Sequence, residues 1–169
     1  MSFQRAIRFA VLALGVAVLL VQLVPYGRSH ANPPVTQEPN WDSPRTQELA
    51  ARACLDCHSN ETKWPWYSNV APVSWRIQNH VDEGRATLNL SRMDRPQEEA
   101  HEAAEAVSSG EMPPKDYLLA HPEARLTQAE RAELARGLAA TLGGEAGGKE
   151  GRWSEGSHDE DDDDERDGD

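Results

Sequence analysis

The stretch Cys54-Leu55-Asp56-Cys57-His58 contains both cysteines of this 169-residue chain and places a histidine directly after the second one. On a helix, residues three and four positions apart lie on the same face, so Cys54, Cys57 and His58 can all face one planar ligand. A C-x-x-C-H sequence is typical of covalent haem c attachment, in which both cysteines form thioethers and the histidine is an axial ligand of the iron. The motif therefore predicts a small helical domain folded around one haem.

Three other kinds of site also use a C-x-x-C pair. A redox-active dithiol is expected within a βαβ pattern, which the surrounding sequence does not have. A structural zinc site takes four ligands, usually from two paired motifs, whereas this chain has one pair and an adjacent histidine. A structural disulfide between Cys54 and Cys57 fits an oxidising compartment but gives no role to His58. Haem attachment accounts for all three residues and is the preferred interpretation.

Residues 1–24 indicate export. Arg5 and Arg8 precede an apolar run of 16 residues, from Phe9 to Val24. Such a run is either the core of a signal peptide or a short membrane anchor, and the arginines place the N-terminus inside. We predict an uncleaved single-pass anchor in the cell membrane, with the haem domain on the periplasmic side. Cleavage after Ala31 is the alternative and would give a secreted protein. Either outcome agrees with haem c, which is attached outside the cytoplasmic membrane.

Proline and charge patterns divide the rest of the chain. Residues 25–42 are predicted to form a proline-rich linker, and residues 43–142 the haem-binding domain. Residues 143–169 carry 12 acidic and 3 basic residues, a composition that cannot bury enough apolar surface to fold, so a disordered acidic tail is expected. No basic patch indicates binding to nucleic acid.

Apolar periodicity predicts an all-α domain. Ser43-Pro44 is a helix start, and this helix is expected to continue into the motif. One stripe of it would then contain Ala50, Ala53, Cys54, Cys57 and His58. Further helices are predicted over about 73–88, where Gly84 weakens the end, and over about 96–108, with Asp94 as N-cap, Gly110 just past the end and a Glu-rich face that is only solvated. A last helix is predicted from the capping box at Thr127 to Gly143-Gly144, with Leu134, Leu138 and Leu142 as its apolar side. The small side chains of Ala50 and Ala53 would allow the helix that starts at Ser43 to approach a flat macrocycle closely.

A haem iron in an electron-transfer site usually has a second axial ligand from the protein, and Met112 is the preferred candidate. The sequence Glu111-Met112-Pro113-Pro114 cannot be helical because of its consecutive prolines, and such a stiff loop can hold a methionine over the ring. Filling of the core is the ordinary role of a methionine and remains the alternative for Met112. Other candidate ligands are Met93, His80, His101 and His121.

Trp64, Trp66 and Trp75 follow the motif closely and are predicted to form the pocket wall. Tryptophan offers a large apolar surface together with one N–H donor that can reach a haem propionate. Ordinary core packing is the alternative for each of them. Arg76 and Arg85 are candidates to pair with propionates, although solvated helix positions are the default for both.

Several segments of the chain resemble the bacterial haem-binding domain family, a branch of small monohaem c-type cytochromes. The resemblance covers about residues 25–142 and implies an exported, membrane-anchored helical domain with a cytochrome c-like fold. It implies that Cys54, Cys57 and His58 attach and ligate the haem, with Met112 as distal ligand. Met93 departs from the pattern, because similar chains tend to have an aromatic residue there. The segments are 32–35, 54–62, 64–68, 71–75, 80–85, 88–89 and 110–114.

These observations predict an electron carrier rather than an enzyme, with His58 and Met112 on the iron and redox partner proteins outside the cytoplasmic membrane. The alternative is a haem-based sensor or peroxidase-like enzyme with an open sixth iron position. A structural module with a Cys54–Cys57 disulfide and no haem is the third possibility. The sequence does not identify the partner proteins.

Overall fold

The computed structural model describes residues 3–146, and this part of the chain is helical, as predicted. Apart from one isolated parallel bridge between Gln37 and Arg92, residues 3–146 form no β-structure. The predicted acidic tail lies, from residue 147 onward, outside the described residues. The helices are α1 (Phe3–Val21), α2 (Pro44–Ala53), α3 (Leu55–His58), α4 (Val73–Thr87), α5 (Ala103–Ser109), α6 (Lys115–Ala120) and α7 (Gln128–Ala146), with 3₁₀ turns at Trp66–Asn69, Ala100–Glu102 and Pro122–Ala124.

Helix α1 contains 19 residues with a mean hydropathy of 1.9, and none of them is buried against the rest of the protein. A helix of this length and composition can cross a membrane, and signal sequences near an N-terminus share these properties. The predicted N-terminal apolar helix is therefore present. A core helix of a soluble domain would have buried residues, whereas this helix has none.

The segment 25–42 is extended, as its prolines predict, but it is packed against the helical domain rather than free. The side-chain amide of Asn60 donates to the carbonyl of Pro34 at 2.8 Å, and that of Asn32 donates to the carbonyl of Thr62 at 2.9 Å. The backbone N–H of Thr36 donates to the carbonyl of Ser91 at 3.0 Å. Because extended chain leaves its backbone groups unpaired, polar side chains of the domain can bind them.

The core lies where α2, α5 and α7 meet. Leu134, Leu138 and Leu142 form the apolar side of α7, as predicted, and are almost completely buried. Leu49 of α2 and Val107 of α5 belong to the same buried cluster. This core brings the end of α2, and therefore the motif that follows it, against the middle of the domain.

Helix α2 begins as predicted but ends before the motif. The hydroxyl of Ser43 accepts a hydrogen bond from the backbone N–H of Thr46 at 3.1 Å, and Pro44 occupies the first turn. Cys54, with φ −125° and ψ −43°, interrupts the helix, and α3 begins at Leu55. The expectation of one continuous helix was therefore wrong: the motif spans a turn between two helices.

The later helix boundaries differ from the predictions for identifiable reasons. Helix α5 begins only at Ala103, because the side chain of Gln97 accepts from the backbone N–H of Asn89 at 2.9 Å and holds the preceding segment as a loop. Asp94 accepts a hydrogen bond from the hydroxyl of Thr36 instead of capping a helix. Gly110, with φ +81°, ends α5 as predicted.

Two further differences concern helices α6 and α7. Helix α6 was not predicted, although it follows directly after the expected break at the two prolines. Helix α7 continues past Gly143 to Ala146, since a glycine costs a helix only about 1 kcal/mol.

Candidate functional site

A cavity of about 390 Å³ opens between α3, the second half of α4, α5 and the loop that follows α5. Its volume lies within the range of about 300–1,000 Å³ that is usual for cofactor sites. The cavity brings together the four residues predicted to hold the haem: Cys54, Cys57, His58 and Met112. The other lining residues are Ala53, His80, Glu83, Gly84, Thr87, Leu88, Leu90, Glu99, Glu102, Ala103, Ala106, Val107, Glu111, Pro114, Tyr117 and Leu138.

The imidazole of His58 is arranged as a metal ligand. Its Nδ1 lies 3.1 Å from the carbonyl oxygen of Leu88. Because a carbonyl oxygen only accepts, this bond places the proton on Nδ1 and leaves Nε2 with a free electron pair, as in most metal-ligating histidines. Burial lowers the pKa of His58, which favours the neutral ring that can bind iron. The histidine therefore fits the role of proximal ligand.

Gly84 allows helix α4 to approach the motif closely. A Cβ atom at this position would lie 2.7 Å from the carbonyl oxygen of Cys57 and 3.0 Å from its Cβ. Any larger residue would push α3 and α4 apart and displace Cys57. Sequence reasoning took Gly84 only as a weak point of its helix, since a glycine inside a helical pattern does not reveal which backbone it contacts.

The two thiols differ from those of a redox-active dithiol. Burial raises the pKa of Cys54 to about 12 and that of Cys57 to about 11, so both thiols are neutral at pH 7. Redox-active pairs instead contain a cysteine whose pKa is lowered. The cysteines are not joined in a disulfide, and residues 3–146 contain no group of three His, Cys, Asp or Glu side chains arranged for a metal ion. The dithiol and zinc alternatives therefore gain no support.

Met112 lies in a loop whose position is well defined. Its backbone N–H donates to the carbonyl of Ala106 in α5 at 2.9 Å, and two prolines follow before α6 begins. Met112 packs against the edge of the core and also lines the cavity, whereas Met93 is buried in the core and lies outside the cavity lining. His101 and His121 also lie outside the lining, whereas His80 contributes to it. Met112 and His80 are thus the two candidate distal ligands that the structure places at the cavity.

The three predicted wall tryptophans lie outside the cavity lining. Trp66 is 79% exposed, and the ring of Trp64 stacks on His30 at a centroid distance of 4.7 Å. Trp75 is half-buried in the first turn of α4, at the opposite end from the cavity. The chain after His58 turns away from the cavity toward the extended N-terminal segment, which explains the difference. The walls instead come from the end of α4, from α5 and from Tyr117.

The two arginines considered as propionate partners are both engaged elsewhere. Arg85 donates to the carbonyls of Ser59 at 2.8 Å and Ala31 at 2.9 Å. Its second terminal nitrogen donates to the side chains of Asn32 and Thr62 at 3.0 and 2.9 Å. The guanidinium of Arg76 forms an ion pair with Asp116 at 2.6 Å. Arg85 thus connects the N-terminal segment to the loop after the motif instead of facing the cavity.

The mouth of the cavity is acidic. Four exposed glutamates contribute to its lining, whereas the lining contains neither lysine nor arginine. A negative potential at the mouth favours the more positive oxidation state of a bound iron. Sequence reasoning treated the glutamates of the α5 region as only solvated, because their position next to the cavity depends on the tertiary fold. The four are Glu83, Glu99, Glu102 and Glu111.

Comparison with known proteins agrees with this geometry. A profile of the haem-binding domain family matches residues 16–140, which include every residue that lines the cavity. Searches among curated proteins and among solved structures gave no significant match. The matched range is well over half of the chain, and the residues at the cavity fit a haem. The chain therefore belongs to the haem-binding domain family.

Proposed function

We propose that the protein is a monohaem c-type cytochrome that carries electrons between partner proteins outside the cytoplasmic membrane. The observation that carries this proposal is the convergence of Cys54, Cys57, His58 and Met112 on one cavity. In this proposal the two cysteines hold the haem through thioethers, and His58 and Met112 are the axial ligands of the iron. Bound haem would supply an iron that changes between the ferric and ferrous states without binding a substrate.

The protein's own residues would set the properties of this iron. The hydrogen bond from His58 to the carbonyl of Leu88 fixes the orientation of the imidazole and increases its basicity as a ligand. Apolar side chains such as Leu90 and Val107 line the cavity and would lower the polarity around a bound haem. A methionine ligand raises the reduction potential relative to a second histidine, whereas the acidic mouth acts in the opposite direction.

We also propose that α1 anchors the protein in the cell membrane, with the haem domain on the periplasmic side. Its length and hydropathy support a membrane span, and Arg5 and Arg8 near its start support an inside N-terminus. The redox partners would then be proteins that reach this side of the membrane.

A haem-based sensor or peroxidase-like enzyme is the second candidate function. His80 favours it, because this histidine lines the same cavity and its Nε2 lies 3.9 Å from the carboxylate of Asp116. A histidine at an open iron position can act as a general acid or base on a bound ligand. The occupant of the sixth iron position distinguishes the two functions.

Spectra of the purified full-length protein test the proposal, with Met112→Ala as the variant and His80→Ala as the matched control. We expect haem to stay with the protein on a denaturing gel, and Cys54→Ser with Cys57→Ser to abolish this staining. The ferric wild type should be low-spin with the weak red absorption band of iron–methionine ligation. This band should disappear in Met112→Ala, which should bind carbon monoxide once reduced, and should persist in His80→Ala. Wild-type protein that is high-spin when ferric and readily binds carbon monoxide when ferrous would instead favour the sensor or enzyme.

A further inference from the structure

The end of helix α1 is fixed to the start of helix α4. Gln22 directly follows α1, and its side chain donates to the carbonyl of Ala71 at 2.9 Å and accepts from the N–H of Ala71 at 3.0 Å. A few residues later Gly27, with φ +79°, is buried against α4, where a Cβ atom would lie 2.7 Å from the carbonyl carbon of Ser74. The domain therefore contacts the end of α1 directly and is not joined to it by a flexible linker alone.

Exposed apolar side chains surround this contact. Val70 and Val73 flank Ala71 and are 44% and 45% exposed, and Trp66, one turn earlier, is 79% exposed. We call these three residues the Trp66 face. Leu23 and Val24, which directly follow Gln22, are also exposed, at 77% and 43%. The contact between Gln22 and Ala71 therefore has exposed apolar side chains next to it in both segments.

The position of the Trp66 face determines what covers it. Where a helix leaves the bilayer, residues in contact with its end lie in the interfacial layer, about 5–10 Å deep. Valine gains free energy by leaving water there, and tryptophan is enriched at this level because its ring is apolar and its N–H remains hydrated. We propose that the Trp66 face is a second membrane contact, which lies on the surface of the bilayer that α1 crosses. The inference rests on the anchor proposed above.

This contact would leave the cavity accessible. Val73 begins α4, whereas the cavity residues of this helix start at His80 and continue to Thr87. At 1.5 Å per residue, His80 and Thr87 lie about 10 and 20 Å along the helix from Val73. The membrane contact and the cavity therefore occupy different ends of α4.

Photo-crosslinking to lipid tests the inference in the full-length haem-loaded protein. The probe p-benzoylphenylalanine replaces Trp66 or, as a second test position, Val73. Leu119 is the matched control because it is also 79% exposed but lies in α6, and Val11 within α1 reports whether the helix is in the bilayer. The protein is reconstituted in vesicles of phosphatidylethanolamine and phosphatidylglycerol, and an unchanged visible spectrum confirms that each variant is folded.

We expect the probe at positions 66 and 73 to form lipid adducts several-fold more often than at position 119. Labelling at 66 and 73 no higher than at 119, with lipid adducts at position 11, would overturn the inference and leave the anchor standing. Adducts at position 66 to a second copy of the protein instead of lipid would also overturn it. Absence of lipid adducts at position 11 would show that the anchor itself is wrong.

Discussion

The hydroxyl group of Tyr117 donates a hydrogen bond of 2.8 Å to Oδ2 of Asp56. Asp56 lies between the two cysteines of the motif, and Tyr117 lies in α6, which directly follows the Met112 loop. Burial raises the pKa of Tyr117, so the hydroxyl remains a donor throughout the physiological range. The bond thus connects the side of the cavity that carries His58 to the loop that carries Met112.

Tyr117→Phe is expected to lower the free energy of unfolding by about 1.5–3 kcal/mol, the usual contribution of a hydrogen bond to a charged group. Urea denaturation of the haem-loaded protein measures this change. If Met112 is the distal ligand, Tyr117→Phe should also bind imidazole more readily, because the loop that carries Met112 would be held less firmly. Tyr26→Phe is the control, since its exposed hydroxyl lies 3.5 Å from the carboxylate of Asp82. Equal effects of the two substitutions would argue against a special role for the bond to Asp56.

Two glycines in α7 should respond to alanine with opposite sign. A Cβ atom at Gly137 would lie 2.6 Å from Cγ2 of Thr46 in α2. At Gly143, by contrast, no atom of the described residues outside the same stretch of helix lies within 4 Å of such a Cβ atom. Gly137→Ala should therefore destabilise the protein by about 1–3 kcal/mol through overpacking. Gly143→Ala should stabilise it by about 0.5–1 kcal/mol through helix propensity. Thermal unfolding of both variants checks the two signs, and stabilisation by both would disprove the close contact of α2 and α7.

Arg85→Lys is expected to destabilise the protein by about 2–3 kcal/mol, because a single ammonium group cannot reach the acceptors that the guanidinium contacts on two separate segments. The N-terminal segment should then become more accessible to proteases near Ala31 and Asn32. Limited proteolysis and denaturation measure the two effects. Arg95→Lys, at an exposed position, is the control and should change neither result.

Glu130 should make stability depend on pH in the acidic range. Hydrogen bonds from the backbone of Thr127 and from the side chain of Arg52 hold its pKa at about 2, below the ordinary value of 4.5. Because the folded protein prefers the charged form, this stabilisation is complete above pH 4.5 and is lost as the pH falls toward 2.

Denaturation between pH 7 and pH 2.5 measures the contribution of Glu130. Glu130→Gln should be less stable than the wild type at pH 7, and the difference should shrink as the pH falls. Gln128→Ala, in the same helical turn, changes no ionisable group and should show a constant difference from the wild type. A constant difference for Glu130→Gln as well would mean that the carboxylate is not responsible.

Local sequence was sufficient for the features that depend on nearby residues. The helix start at Ser43, the capping box at Thr127 and the end of α5 at Gly110 were all predicted, because each is defined by contacts within one turn. The convergence of the motif and Met112 was also predicted, since the chemistry of one haem requires residues of these types.

Features that depend on distant residues were not predictable in this way. Trp66 was predicted to line the pocket but is 79% exposed, and segment 25–42, predicted only as a linker, packs against the domain through Asn60 and Thr62. Likewise, neither Gly84 against Cys57 nor Tyr117 against Asp56 follows from spacing, because the partners lie 27 and 61 positions apart.

The paired hydrogen bonds between Gln22 and Ala71 have a consequence for how the protein meets its partners. A domain on a flexible linker searches a volume whose radius grows with the length of the linker. Here the residues after α1 pack against the domain, so the domain of an anchored molecule can move only a short distance from the end of α1. Encounters would then depend on lateral diffusion in the membrane plane, or on soluble partners that come to a haem held at constant height. The surface density of the protein, rather than the length of its linker, would set the encounter rate.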